Sequence, residues 1–271
     1  MKYLKLTNHK LIFILLAIAY LLLIYREPII TYLTFDLNAA DLGGIENATY
    51  IRNRMLLSDL KLQVSMFQLS FYKAFIFPLI IAFVANAYAK LKDNFVKLNI
   101  GKNSLYNHEL LKLKLELALV PTLIYSFAFL AIIFVAILMG DAEFVLDSDI
   151  NLLFAESSIL HSICTNTIIY LVCHYLLTVA AIYINALFCF KLVDVFKNPL
   201  RVSIIYLVFI WILSIIMYNV IGLVIDDVRF ITPLSTMMLT SYGWITIPKI
   251  IMSYGLYILF YILMKVYPYE I

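Results

Sequence analysis

Three stretches of this chain lack charged side chains over lengths that one environment explains. Leu117–Met139 runs for 23 residues, Val202–Ile225 for 24 and Ser157–Phe190 for 34 without Asp, Glu, Lys or Arg. A helix of about 20 such residues crosses a hydrocarbon core ~30 Å thick. Away from water the backbone must satisfy its own N–H and C=O groups, and a helix does so within itself. Composition agrees. Hydrophobic residues make up 64% of the chain and the mean hydropathy is +0.97, whereas soluble domains are roughly half apolar. The expectation is an all-α membrane protein in which residues 1–271 form a single transmembrane domain.

Six crossings are expected, at about 10–27, 67–89, 115–139, 160–190, 202–225 and 248–265. The opening MKYLKLTNHK followed by LIFILLAIAYLLLIY resembles a signal sequence. No A-x-A cleavage site follows at the right distance, so it is read as the first span, with Lys10 and Arg26 snorkelling to the two interfaces. Loop charge orients the ladder. With the N-terminus inside, the inner segments 1–10, 90–116, 191–201 and 265–271 hold thirteen Lys and Arg against five acids. The outer segments 26–66, 140–156 and 226–249 hold six against twelve. Basic residues near span ends stay on the cytoplasmic side, so both termini are expected inside.

Two segments fit a plain ladder poorly. The outside loop 26–66 is long, and its IRNRMLLSDLKLQVSMF half alternates apolar and charged positions like an interfacial amphipathic helix. Residues 230–248, FITPLSTMMLTSYGWITIP, are uncharged but broken by Pro233, Gly243 and Pro248. As a complete span they would make seven crossings and put the C-terminus outside; the favoured reading is short re-entrant helices on the outer side between spans five and six, a backbone tolerated at membrane depth only when packed in protein or lining a cavity.

Several chemistries lack their residues. No G-x-x-x-x-G-K-[ST] loop exists to cradle phosphates; Gly101-Lys102 is the nearest fragment, and position 96 is Val. ATP hydrolysis on this chain is not expected. No H-E-x-x-H occurs, nor paired acids on a span. His161 and His174, thirteen residues apart, fall on different faces of a helix, ~20 Å apart along it. Cys164, Cys173 and Cys189 share one apolar run and read as buried small hydrophobes. A net charge of +3, confined to short loops, offers no nucleic-acid surface. No catalytic residue, bound cofactor or metal is expected. Lys73, inside the second span, is a pathway or gate candidate by default, read as able to snorkel to the outer end. Tyr242 and Trp244 in the broken segment join it.

The 86–116 stretch, NAYAKLKDNFVKLNIGKNSLYNHELLKLKLE, is basic, as a cytoplasmic loop should be. Charge alone does not explain its apolar pattern. Leu91, Phe95 and Leu98 fall at i, i+4 and i+7, one stripe of a helix. Gly101 is placed to end it and Asn103 or Ser104 to cap the next. The pattern predicts a helix, a sharp turn and a second helix entering the membrane. A second short amphipathic turn, KLVDVFKNPLR at 191–201, presents Val195 and Phe196 and is read as ended by Pro199.

This layout resembles the membrane subunit of an ABC-2 type ATP-binding-cassette exporter, across nearly the whole chain. The shared features are six spans, inner termini, re-entrant outer helices before the last span and a basic elbow after the second. The usual acidic pair of that elbow is reduced to Asp93 before Gly101. The resemblance implies a permease paired with a second, identical or homologous permease. Separate ATPase subunits, carrying ATP and Mg, would dock on coupling segments 90–104 and 191–201. Leu91, Phe95, Leu98, Gly101, Lys102, Asn103, Val195, Phe196 and Lys197 would make those contacts. It further implies export of an amphipathic peptide, lipid-linked molecule or drug-like compound across a bacterial plasma membrane. The alternative is a polytopic immunity or receptor protein with no ATPase.

Overall fold

The apolar runs fold as helices. In the computed structural model, which describes residues 10–39, 47–98, 103–139, 167–196, 198–226, 229–238 and 247–266, no strand occurs among the described residues. We number the helices α1 (Lys10–Ile24), α2 (Arg26–Thr34), α3 (Ala48–Asp59), α4 (Leu62–Leu98), α5 (Asn103–Leu138), α6 (Thr167–Val195), α7 (Pro199–Val224), α8 (Pro233–Met237) and α9 (Ile247–Val266). Four of them, α4 to α7, are long and apolar enough to cross a membrane, and α1 with α2 makes a fifth if the bent pair is one span. In α9, Lys249 and Lys265 bound a shorter uncharged interior, and the expected sixth crossing is not among the helices long and apolar enough to span. The protein is therefore an all-helical, multi-pass membrane bundle.

The long helices alternate in direction. The end of α4 meets the end of α6 and the start of α5 through Lys92, Asp194 and Lys114. Ser203 near the start of α7 reaches Ala82 and Asn86 of α4, and Trp211 further along reaches the Ala74 carbonyl, earlier in α4. Thus α4 and α6 run one way, and α5 and α7 the other. The end holding Lys90, Lys92, Lys112, Lys114, Lys191 and Arg201 is rich in lysine, with Asp93, Glu109, Glu116 and Asp194 among them; the opposite end mixes Glu27, Asp36, Asp59 and Asp226 with Arg26, Arg52, Arg54, Lys61, Arg229 and Lys249. At the centre, α4, α5 and α6 bury their facing sides, with α1 packed on α4 and α5. Tyr20, Phe77 and Tyr125 stack edge-on from α1 through α4 to α5, with centroids 5.2 and 5.9 Å apart. The Tyr20 hydroxyl donates to the Leu69 carbonyl at 2.7 Å.

Several boundaries differ from the sequence expectations, each for a local reason. The first span is expected to run to 27, but the axis bends by 56° after Ile24. Pro28 has no N–H to give the Ile24 carbonyl, and its ring crowds that oxygen. The second span begins at Leu62 rather than about 67. It is one helix through Pro78 to Leu98, so 90–98 extends the span instead of forming a separate coupling helix. The expected amphipathic helix of the outside loop is split at Leu60–Lys61 between α3, which buries no residue, and the first turn of α4. Pro199 does not end a turn; it opens α7, where its missing N–H costs nothing. Asn198 caps that helix by accepting from the Leu200 and Arg201 amides. Residues 160–166 of the expected fourth span lie outside the described residues.

Two π-turns, Val208–Ile212 and Met217–Ile221, interrupt α7. Each widens the helix by one residue and re-aims the side chains beyond it. The re-aimed faces meet α8, a five-residue helix that is buried against α6, α7 and α9.

Candidate functional site

One face of α6 carries a polar seam through the bundle. Tyr170, His174, Thr178 and Asn185 recur at helical spacing, and all are buried. A helix face that is apolar would need nothing further, but these groups must find partners, and the neighbouring helices supply them. Lys73 of α4 is fully buried and its ammonium donates to the Thr178 hydroxyl at 3.4 Å. His174 lies within electrostatic reach of that ammonium, its Nδ1 3.3 Å from the Tyr170 hydroxyl. The neighbouring Tyr175 bonds Ser126 of α5 at 2.9 Å. Lys73 sits ~16 Å along α4 from its start at Leu62 and turns inward, so the expected snorkelling to the outer interface is not what the structure shows.

Half-way along α6, Asn185 anchors the second part of the seam. Its amide donates to the Ala181 carbonyl and the Thr236 hydroxyl, and its oxygen accepts from Tyr257 of α9 at 2.7 Å. Thr236 donates to the Pro233 carbonyl at 2.7 Å. The Ser214 hydroxyl of α7 accepts from the Leu234 amide at 3.0 Å, and Thr232 caps α8 by accepting from the Ser235 amide. A helix this short leaves most of its backbone groups unbonded internally. Here side chains of α6, α7 and α9 supply hydrogen-bond partners to it and to the residues it carries.

At the basic end the seam closes in an ionic cluster. Asp194 accepts from the Tyr88 hydroxyl at 2.9 Å and from Lys92 at 3.0 Å on one oxygen, and from Lys114 on the other. Tyr88 stacks on Phe190 at 5.0 Å. One carboxylate thus ties α4, α5 and α6 together, against two ammonium groups. At the opposite end of the bundle, desolvation and then the field of Glu27 raise the Asp59 carboxyl above its ordinary value; Glu27 itself accepts from Gln68 at 3.1 Å.

The coupling candidates are distributed unevenly. Leu91 is half-buried against the core, Val195 packs likewise, and Phe196, expected at an exposed tip, is only 7% exposed. The apolar tip of 191–201 is therefore used inside the bundle. Phe95 and Leu98 lie in the last turns of α4 and Asn103 opens α5. Gly101, Lys102, Lys197, Tyr242 and Trp244 lie outside the described residues, as do His161 and Cys164. Cys189 is buried and Cys173 half-buried. Among the described residues no three His, Cys, Asp or Glu side chains come together as metal ligands.

Asn185, Thr236, Tyr257 and Asp194 are not singled out by sequence reasoning. The available signal is the polar spacing 170, 174, 178 and 185 on one α6 face; its partners come from segments up to 105 residues away for Lys73–Thr178. Comparison with known protein families, curated proteins and solved structures finds no match to this chain.

Proposed function

We propose that this chain is the membrane-spanning permease subunit of an ATP-driven exporter, with no catalysis of its own. It spans six times with both termini and the basic end in the cytoplasm, and α8 is a re-entrant helix from the outer side. Two permeases pair, separate ATPase subunits dock beneath them and hydrolyse ATP with Mg, and an amphipathic peptide, lipid-linked molecule or drug-like compound is exported across a bacterial plasma membrane. The observation that carries this reading is the elbow at the basic end. There α4 and α5 extend their spans as rigid helices to Leu98 and from Asn103, while Asp194 ties both to α6. A force on that elbow would move three spans together. The buried irregular segment around α8, opposite the π-turns of α7, further favours a transport bundle, where such backbone is used.

The test is purification of the chain from its native membrane together with the product of any adjacent ATPase reading frame. An ATPase subunit is expected to co-purify, and Phe95→Asp and Leu111→Asp, the latter at an exposed position of α5, are expected to release it without unfolding the bundle. Absence of any ATPase from the wild-type preparation sinks the exporter reading.

One observation favours a second reading, a membrane-bound immunity or receptor protein without an ATPase. Helix α3 stands outside the core with Tyr50, Met55 and Leu57 exposed, and α2 holds it by an Arg52–Tyr32 cation–π contact at 4.4 Å. Loss of ligand or partner recognition on altering α3, with no effect of the elbow substitutions, would decide for it.

A further inference from the structure

A cavity of about 300 Å³ opens between the second half of α7 and the segment 229–238. Its walls are apolar, formed by Ile215, Tyr218 and Met238 among others, and Ile215 and Tyr218 are also exposed on the outer surface of the bundle. The cavity is therefore open to the hydrocarbon that surrounds α7. The polar groups in its depth are already paired. Ser214 accepts from the Leu234 amide, and Thr232 and Ser235 bond each other at 2.8 Å; Asn219, on the exposed side, donates to the Ile215 carbonyl.

Arg229 at the rim is different. Its guanidinium lies 5.4 Å over the Tyr218 ring. Its Nη1 meets Asp226 at 3.3 Å, but that carboxylate is 86% exposed, so the pair is weak and water-screened. Its Nε is buried and, among the described residues, has no hydrogen-bond partner. A second cation, Lys249, stands 5.2 Å over Phe230, which also lines the cavity. No carboxylate is among the described lining residues. Gly222 permits the close approach that makes the rim, since a Cβ there would lie 3.1 Å from Arg229 Cβ and 3.2 Å from Arg229 Cα.

We propose that this cavity binds the anionic end of a single-chain amphiphile, a carboxylate or phosphate held by Arg229 with the chain running into the apolar pocket. A guanidinium offers a fork of donors that matches either anion. The paired polar groups below leave the tail nothing to hydrogen-bond. At this volume, the lower end of the ligand-pocket range, the site takes one head and the first part of one chain, not a whole two-chain lipid. The proposal does not depend on the exporter reading; it holds equally for a protein with no ATPase.

The experiment uses the full chain in a neutral maltoside detergent and counts retained ligand by native mass spectrometry. The probes are decyl phosphate, decyltrimethylammonium, inorganic phosphate and phosphatidylglycerol, with thermal unfolding followed in parallel. Saturable retention of one decyl phosphate is expected, with none of the cationic analogue or of phosphate alone. Arg229→Gln should weaken it by ~10-fold or more, while Asp226→Asn, which frees the guanidinium, should tighten it about two- to fivefold. Equal retention of the cationic amphiphile overturns the proposal, as does retention of phosphatidylglycerol only, or binding indifferent to a folded Arg229→Gln. If Arg229→Gln unfolds the chain, Asp226→Asn decides, and unchanged affinity there overturns the assignment.

Discussion

An ammonium enclosed between helices is costly to desolvate, and replacing buried ionic groups by apolar side chains of similar volume is often neutral or stabilising. Lys73 is such a group, held by Thr178 on α6. Lys73→Met keeps the length of the side chain without the charge. We expect a melting temperature equal to or above wild type, read by thermal unfolding in detergent. A fall of several degrees would show instead that the Lys73 interactions stabilise the fold. Asp194 should behave oppositely. Asp194→Asn leaves Lys92 and Lys114 facing one another across the cluster, with an expected loss of about 1–3 kcal/mol. The double variant with Lys114→Met should recover part of it, because the two changes share one interaction; strict additivity in denaturant unfolding would refute the shared cluster. Lys73 stands out in the sequence because charges in apolar runs are rare. Its direction does not, since snorkelling and burial use the same residue at the same position, and only the packing of α6 against α4 decides between them.

Local rules serve unequally at the level of elements. Helix existence comes directly from apolar length, whereas Asn198-Pro199 is a signal that depends on its neighbours. Paired with KLVDV before it, the dipeptide reads as a stop; paired with the long apolar run after it, it is the cap and first residue of α7. Pro78 and Pro121 sit within α4 and α5 without ending them, whereas Pro28 bends the chain at the start of α2. Two glycines separate propensity from packing. Gly255 in α9 has nothing within 4 Å of an added Cβ. Gly255→Ala should therefore stabilise the helix by about 0.5–1 kcal/mol. At Gly222 the same Cβ meets the Arg229 backbone and the Met217 carbonyl at 3.2 Å. Gly222→Ala should lose that gain and destabilise the chain, by displacing the 229–238 segment; equal melting shifts for the two variants would contradict the close approach.

Over the whole molecule, charge asymmetry and apolar packing point along the same axis. Among the described residues lysines crowd one end of the bundle, and on the proposed reading the positive-inside rule would put that end in the cytoplasm. In a background without native cysteines, Asp36→Cys should react with an impermeant maleimide on intact cells and Lys112→Cys only after permeabilisation. The reverse pattern would invert the orientation. The multi-pass helical character and the four or five helices long enough to cross a membrane are legible in the amino-acid order, because hydrophobic length is a local property that the bilayer reads directly. The polar seam is not. It exists only where α6 faces Lys73 of α4, Ser126 of α5, Ser214 of α7 by way of α8, and Tyr257 of α9, and pairing between distant segments has no local signature. Amino-acid order is enough to send this chain into a membrane as helices. Which polar side chains are satisfied inside it depends on helix packing alone, since each hydrogen bond there needs two groups that the chain order keeps apart.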